Sequence, residues 1–170
     1  MPVSKTKPAS YLLPILSLPS TERGPVVFGE NYMQECISKL GLIGGYLPEE
    51  TKFAFIGQLQ SNKINKLLKA GAGGKLVRIE SVWKPEHVGK IGKAFINNMV
   101  EGEDGSMEVM VQVDTSGEES KGGLSYNDVE GINGVIEEIG NTEGVQVRRG
   151  ERRQEGSTQE NIMPTVTVRT

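Results

Sequence analysis

Lys5 is the residue whose sequence surroundings point most directly to chemistry. It lies in the segment Val3-Ser4-Lys5-Thr6-Lys7-Pro8, after a short apolar start and before a proline that prevents a helix from beginning there. A second lysine, Lys7, stands two positions on, and an amine with such a neighbour is expected to be a better nucleophile than a free lysine. Such an amine can hold an aldehyde cofactor as a Schiff base. The alternative is a solvated charge near the N-terminus, which is the commoner use of a lysine there.

Three further residues are candidates for the same site. Asn31 comes shortly after the apolar run Val26-Val27-Phe28, and Gly57 directly follows Phe53–Ile56. Either residue could contact a cofactor at the end of a strand, but Gly57 could equally serve a turn and Asn31 could cap the next helix. Lys121 lies in a loop rich in Ser, Gly and Glu. It is interpreted either as a second aldehyde-reactive lysine or as an ordinary surface lysine.

The elements that must position these residues alternate between two spacings of apolar residues, one typical of strands and one typical of helices. Short apolar or alternating runs predict strands at Val26–Phe28, Phe53–Ile56, Leu76–Ile79, Met107–Val113 and Val145–Val147. Helical spacing predicts four intervening helices with the apolar sets Tyr32/Cys36/Leu40, Ile64/Leu67/Leu68, Val88/Ile91/Phe95 and Val129/Ile132/Ile136/Ile139. Asn31, Ser61 or Asn62, and Asn127 are the expected caps of three of them. This alternation indicates an α/β protein built on a parallel sheet.

Bulk properties exclude several classes of function. A chain of 170 residues suits one domain, and a net charge of −3 with a pI near 5.4 disfavours nucleic-acid binding. Cys36 and His87 are the only residues of their types, so neither an intrachain disulfide nor a Cys/His metal cage is expected. No apolar run approaches 18 residues, which disfavours a membrane span. A reducing compartment is expected, the cytoplasm or, as the alternative, the mitochondrion.

Two stretches depart from the alternating pattern. Residues 9–25 contain Pro14, Pro19 and Pro25, each of which costs about 3 kcal/mol inside a helix, so this segment is predicted to be irregular. Residues 148–170 offer little apolar surface to bury and are predicted to form a polar, disordered tail. The predicted organisation is therefore one cofactor-binding domain over residues 1–147, followed by that tail.

Four ordered blocks of the sequence resemble the pyridoxal phosphate homeostasis proteins, the YggS/PROSC family. They are Val3–Ser10, Phe28–Tyr32 with Gln34-Glu35, Phe55–Lys63 and Val111–Lys121. The resemblance implies a (β/α) barrel like that of alanine racemase (fold type III of the pyridoxal-phosphate proteins). It also implies that pyridoxal 5′-phosphate (PLP) is held as a Schiff base on Lys5.

The function that this resemblance implies is that of a non-catalytic PLP carrier in vitamin B6 homeostasis. Its partners would be PLP and, beyond it, PLP-dependent apoenzymes, with no metal, nucleic acid or membrane. Two alternatives stay open. An amino-acid racemase would need acid/base groups on both faces of the cofactor, and such enzymes carry one of them on a second domain. A family remnant that does not bind PLP is the other.

The sequence also departs from the family pattern. It begins almost at the Ser-Lys block, so only Pro2, Val3 and Ser4 are expected to anchor Lys5 from the N-terminal side. The segment Phe53–Gly57 lacks the family's histidine, and the family's phosphate-binding Ser-Met-Gly-Met-Ser and Arg-Ile-Gly segments do not occur. At most six strands can be counted, whereas a closed barrel needs eight. The expected structure is a truncated, partial TIM-type barrel of about five to six strand–helix units.

Overall fold

Strand-forming and amphipathic segments alternate along the chain, and in the computed structural model they form a parallel sheet with helices between its strands. The structure describes residues 1–18, 26–101, 105–115 and 122–148, and the backbone of 166–169. The strands are β1 (Val27–Glu30), β2 (Lys52–Phe55), β3 (Leu76–Val82), β4 (Met107–Asp114), β5 (Leu124–Ser125), β6 (Val145–Val147) and β7 (Val166–Arg169). The helices are α1 (Leu13–Leu16), α2 (Met33–Leu40), α3 (Ile64–Ala70), α4 (Pro85–Asn98) and α5 (Val129–Asn141). The predicted α/β class is confirmed.

The sheet grows strand by strand in chain order. Strands β1 to β5 are neighbours in sequence order, β6 and β7 also pair with β4, and every pairing is parallel. One more short stretch of chain lies beside β1, where Val3 forms a parallel bridge with Gly29. Parallel strands joined through helices bring their carboxyl ends to one edge. The segment that leads into Lys5 is thus the outermost member of this sheet.

The core lies between the sheet and its helices. Phe28 and Phe53 pack with ring centroids 5.9 Å apart, and both are almost fully buried. The helices contribute the buried side chains Cys36, Leu40, Ile64, Leu67, Leu68, Val88, Ile91, Val135 and Ile139. Burial of this apolar set fixes the helices on the sheet and so fixes the strand ends that carry the candidate site.

Three helix starts differ from the predictions. Ser61–Lys63 form a 3₁₀ turn, and Lys63, not Ser61 or Asn62, precedes α3 as its N-cap residue without a side-chain capping bond. Tyr32, not Asn31, precedes α2 as its N-cap residue and makes no side-chain capping bond. Asp128, not Asn127, caps α5 by accepting a 2.9 Å hydrogen bond from the amide of Gly131. A carboxylate at this position also meets the positive end of the helix dipole. Val129, predicted to face the core, is 60% exposed because it occupies the first turn, and Val135 takes its place in the core.

The segments predicted to lack regular structure contain some. Ala9–Tyr11 form a 3₁₀ turn and α1 follows it, with Pro14 in the first turn, where its missing N–H leaves no bond unmade. Residues 19–25 lie outside the described residues. In the predicted tail, β7 pairs in register with Val111–Asp114, as the alternating Val-Thr-Val-Arg sequence allows. The rest of that tail beyond Arg148 also lies outside them.

Candidate functional site

Lys5 is an exposed residue that follows a buried one at the edge of the sheet. Ser4 is 6% exposed, and its amide donates a 3.0 Å hydrogen bond to the carbonyl of Gly29. On the other side of Lys5, Thr6 has a φ of +62°, a left-handed conformation that a β-branched residue rarely adopts. The chain therefore turns sharply directly after the lysine, which leaves the Lys5 side chain at the surface.

A buried ammonium holds the residue before Lys5. Lys39 Nζ donates to the Ser4 carbonyl at 2.8 Å and to Glu30 Oε1 at 2.6 Å. Ser4 Oγ donates to the same Glu30 oxygen at 2.5 Å. The side chains of Lys39 and Glu30 are 5% and 0% exposed, so little water competes for these bonds. The expectation that only Pro2, Val3 and Ser4 anchor Lys5 is therefore wrong, because α2 supplies a further anchor.

Glu35 holds the residues that follow Lys5. Its Oε1 accepts a 2.8 Å hydrogen bond from Lys39, and its Oε2 accepts a 3.0 Å bond from the Thr6 amide. Burial opposes ionisation of this carboxyl. Its effect is outweighed by the hydrogen bonds from Lys39 and the Thr6 amide, by the charge of Lys39 and by the Lys7 amide, so the pKa of Glu35 is lowered. We refer to Ser4, Glu30, Glu35 and Lys39 together as the Lys39 clamp.

Asn31 and Gly57 lie against each other at the carboxyl ends of β1 and β2. A Cβ atom added to Gly57 would lie 1.8 Å from the carbonyl oxygen of Asn31, so only glycine fits there. The amide of Ile56 donates to the carbonyl of Glu30 and continues the pairing up to this point. Close packing therefore accounts for Gly57 without a ligand, and contact of either residue with a cofactor stays a prediction.

Lys121 lies outside the described residues, but the residue that follows it is described. A Cβ atom on Gly122 would lie 3.3 Å from Gln58 Nε2 and 3.5 Å from Trp83 Nε1. Gln58 and Trp83 come after the ends of β2 and β3. Gly122 thus lies at the same edge of the sheet as Gly57, and a role for Lys121 stays a prediction.

Sequence reasoning missed the residues that organise this edge. Lys39 and Glu30 were not singled out, because a lysine on a helix and a glutamate at a strand end are individually common on surfaces. The available signal was the spacing of Glu35 and Lys39, an i, i+4 pair on one helical face. The arrangement that results is an exposed primary amine on a backbone held from both sides.

No group of three or more His, Cys, Asp or Glu side chains in the described ranges could hold a metal ion. None of the helices in the part of the chain that the structure describes is both long enough and apolar enough to span a membrane.

Comparison with known proteins finds several proteins that are similar to this chain in sequence. No family model matches the chain. The sequence is 38% identical over 125 residues to the pyridoxal phosphate homeostasis protein of Pongo abelii, covering 72% of this chain and 41% of that protein. The proteins of the same name from Homo sapiens and Vibrio alginolyticus are 38% identical over 124 residues and 33% identical over 132, covering 41% and 48% of their lengths.

A solved structure has the same fold. PipY of Synechococcus elongatus, in a structure without PLP, superposes with a TM-score of 0.64 over 87% of this chain and 60% of PipY, at 24% sequence identity. This likeness confirms the predicted partial barrel architecture. The chain spans about two fifths of the length of the curated proteins from Pongo abelii and Homo sapiens.

Proposed function

We infer from the kinship of this chain with the pyridoxal phosphate homeostasis proteins, which extends over about 72% of its length, that it binds PLP and takes part in PLP homeostasis. In this proposal Lys5 is the residue that holds the cofactor. The single observation that carries the assignment is the exposure of Lys5 between two residues whose backbones are held by hydrogen bonds from α2, a buried one at Ser4 and an exposed one at Thr6.

The residues present fit an aldehyde ligand at Lys5. Lys5 would hold the group covalently through its aldehyde carbon, with release of one water, and the group would supply a reactive aldehyde. This reaction needs an accessible amine and no metal. Asn31, Gly57 and Lys121 are the further residues that we propose at the rim of this site. Because the edge of a parallel sheet collects strand ends, ligands bind there in many α/β proteins.

We propose that the protein carries PLP without turning over amino acids, and that PLP-dependent apoenzymes receive it. Racemisation or transamination needs a free acid/base group beside the cofactor. The ionisable side chains of the Lys39 clamp are engaged with one another or with the backbone, since Lys39 contacts both Glu30 and Glu35. Those groups are therefore poorly placed to exchange protons with a substrate.

A spectroscopic titration tests the proposal. Purified protein mixed with PLP should develop a new absorbance band that borohydride fixes covalently, and Lys5→Ala should remove it. Lys69→Ala is the matched control, because Lys69 is an exposed lysine in the last turn of α3, remote in sequence from Lys5. An unchanged band in the Lys5 variant would overturn the assignment. Racemisation of an amino acid by the loaded protein would overturn the carrier role.

A further inference from the structure

We propose that Lys39 and Glu35 are positioning residues that present the Lys5 amine to the cofactor. This inference rests on the proposed function and assigns a role within that site to residues that do not touch PLP. The observation behind it is that α2 supplies hydrogen bonds to the backbone on both sides of Lys5, through Ser4 and Thr6.

Lys39 itself cannot be the amine that reacts. A lysine ammonium has three protons to donate, and Lys39 gives one each to the Ser4 carbonyl, to Glu30 and to Glu35. Its side chain is 5% exposed, so an aldehyde has no path to the nitrogen. A buried, fully bonded ammonium instead acts as a fixed point for the groups around it.

The residues held by these hydrogen bonds, Ser4 and Thr6, lie immediately on either side of Lys5. Ser4 is held at three atoms: its amide by Gly29, its carbonyl by Lys39 and its hydroxyl by Glu30. Thr6 is held at its amide by Glu35. Since Lys5 is the single residue between them, its Cα–Cβ direction is set by this pair of anchors, and only its side-chain torsions stay free.

The conformation of Thr6 gives independent support. Among the described residues it is the only non-glycine residue with a positive φ, at +62°. A β-branched residue keeps such a conformation only when its surroundings impose it, and residues of this kind concentrate at functional sites. The Lys7 amide closes this turn by donating a 3.1 Å hydrogen bond to the Ser4 carbonyl, and the bond from the Thr6 amide to Glu35 joins the turn to α2.

The charges explain why a lysine occupies position 39. Glu30 is fully buried, and one of its oxygens accepts from both Lys39 and Ser4. Removal of the ammonium would leave a buried carboxylate without its cation, which is strongly destabilising. Lys39→Met is therefore expected to disturb folding as well as the site. Glu35 lies at the outer end of the clamp, with 24% of its side chain exposed, and offers the cleaner variant.

Glu35→Ala with Glu137→Ala as control is the decisive pair, because Glu137 is an exposed glutamate on α5, remote in sequence from the clamp. The borohydride-trapped adduct at Lys5 should form about 10- to 100-fold more slowly in Glu35→Ala, since misplacement of a reacting group has effects of that size. The control should match the unmodified protein. Thermal unfolding of both variants should stay cooperative, which separates positioning from loss of fold.

Hydrogen exchange supplies a readout that needs no cofactor. The Thr6 amide should exchange slowly in the unmodified protein and at least tenfold faster in Glu35→Ala, because its acceptor is gone. Equal exchange and equal adduct rates in the two proteins would overturn the positioning role and leave the PLP proposal intact. Faster Thr6 exchange in Glu35→Ala, with no adduct at Lys5 even in the unmodified protein, would overturn the PLP proposal and with it the role toward the cofactor.

Discussion

The amide of Thr6 and the carboxylate of Glu35 are joined by a 3.0 Å hydrogen bond, and this bond links a strained turn to the first turn of α2. Thr6 follows Lys5 directly, whereas Glu35 is 29 residues further along the chain. The contact therefore ties the local geometry at the candidate amine to the packing of a helix on the sheet.

Thr6→Gly should stabilise the protein. Glycine adopts a φ of +62° without the steric cost that threonine bears, and the expected gain is about 1 kcal/mol after the greater freedom of the unfolded chain is subtracted. Urea denaturation measures the free energy of unfolding. Lys7→Gly, at a position without positive φ, should lose stability. A loss in Thr6→Gly equal to that in Lys7→Gly would show that Thr6 is not strained.

Gly57→Ala should destabilise the carboxyl edge of the sheet. The added methyl group would lie 1.8 Å from the Asn31 carbonyl oxygen, so the ends of β1 and β2 must separate, at a cost of about 1–3 kcal/mol. Gly134→Ala is the matched control, because its Cβ meets nothing within 4 Å on α5 and the change should stabilise the helix by up to about 1 kcal/mol. Chemical denaturation of both variants measures this difference, and tolerance of alanine at position 57 would contradict the packing.

His87 should make the protein less stable in mild acid. Burial lowers its pKa from 6.5, with Lys84 and Lys90 adding to the effect and Glu86 opposing it. As the pH falls below 6.5 the unfolded chain binds a proton that the folded chain does not, so stability drops in that range. The structure supports a neutral ring, since Nε2 lies 3.0 Å from Ser61 Oγ and Nδ1 has no partner among the described residues.

Melting temperatures between pH 7 and pH 5 measure this effect. His87→Gln, which keeps a polar group near Ser61 but does not titrate, should show a smaller decrease than the unmodified protein. Parallel curves for the two proteins would mean that another group controls stability in this range.

Cys36 should resist alkylation while the protein is folded. Burial raises the pKa of the Cys36 thiol to about 12. The charges of Glu30 and Glu35 add to this effect, and the charge of Lys39 opposes it. The thiol is 0% exposed, so both access and thiolate formation are blocked. Iodoacetamide at pH 8 should label the denatured chain within minutes and the native chain only as fast as it unfolds. Rapid labelling under native conditions would contradict the packing of α2 on the sheet.

The sequence predicts those features that depend on neighbouring residues. Helix α4 contains the predicted apolar set Val88, Ile91 and Phe95, because Pro85 marks its first turn and the apolar spacing continues through it. The start of α5 was misplaced by one residue, since Asn127 and Asp128 are both good caps and only the fold selects between them.

The contacts of the Lys39 clamp cannot be predicted from neighbouring residues in the sequence. The clamp assembles Ser4, Glu30 and Lys39 from three separate segments, and a single charged residue in a sequence does not show that it will be buried. Lys5 can be recognised from the sequence because the residues that mark it, Ser-Lys-Thr-Lys-Pro, are contiguous. The residues that orient Lys5 cannot, because they reach it only through tertiary contacts.

The most direct test of the central claim is mass-spectrometric mapping of the borohydride-reduced PLP adduct on the unmodified protein. At one equivalent of PLP the account predicts modification concentrated on the peptide that contains Lys5, with the buried Lys39 unmodified until the protein is denatured. Modification spread evenly over the exposed lysines, with no preference for Lys5, would contradict it.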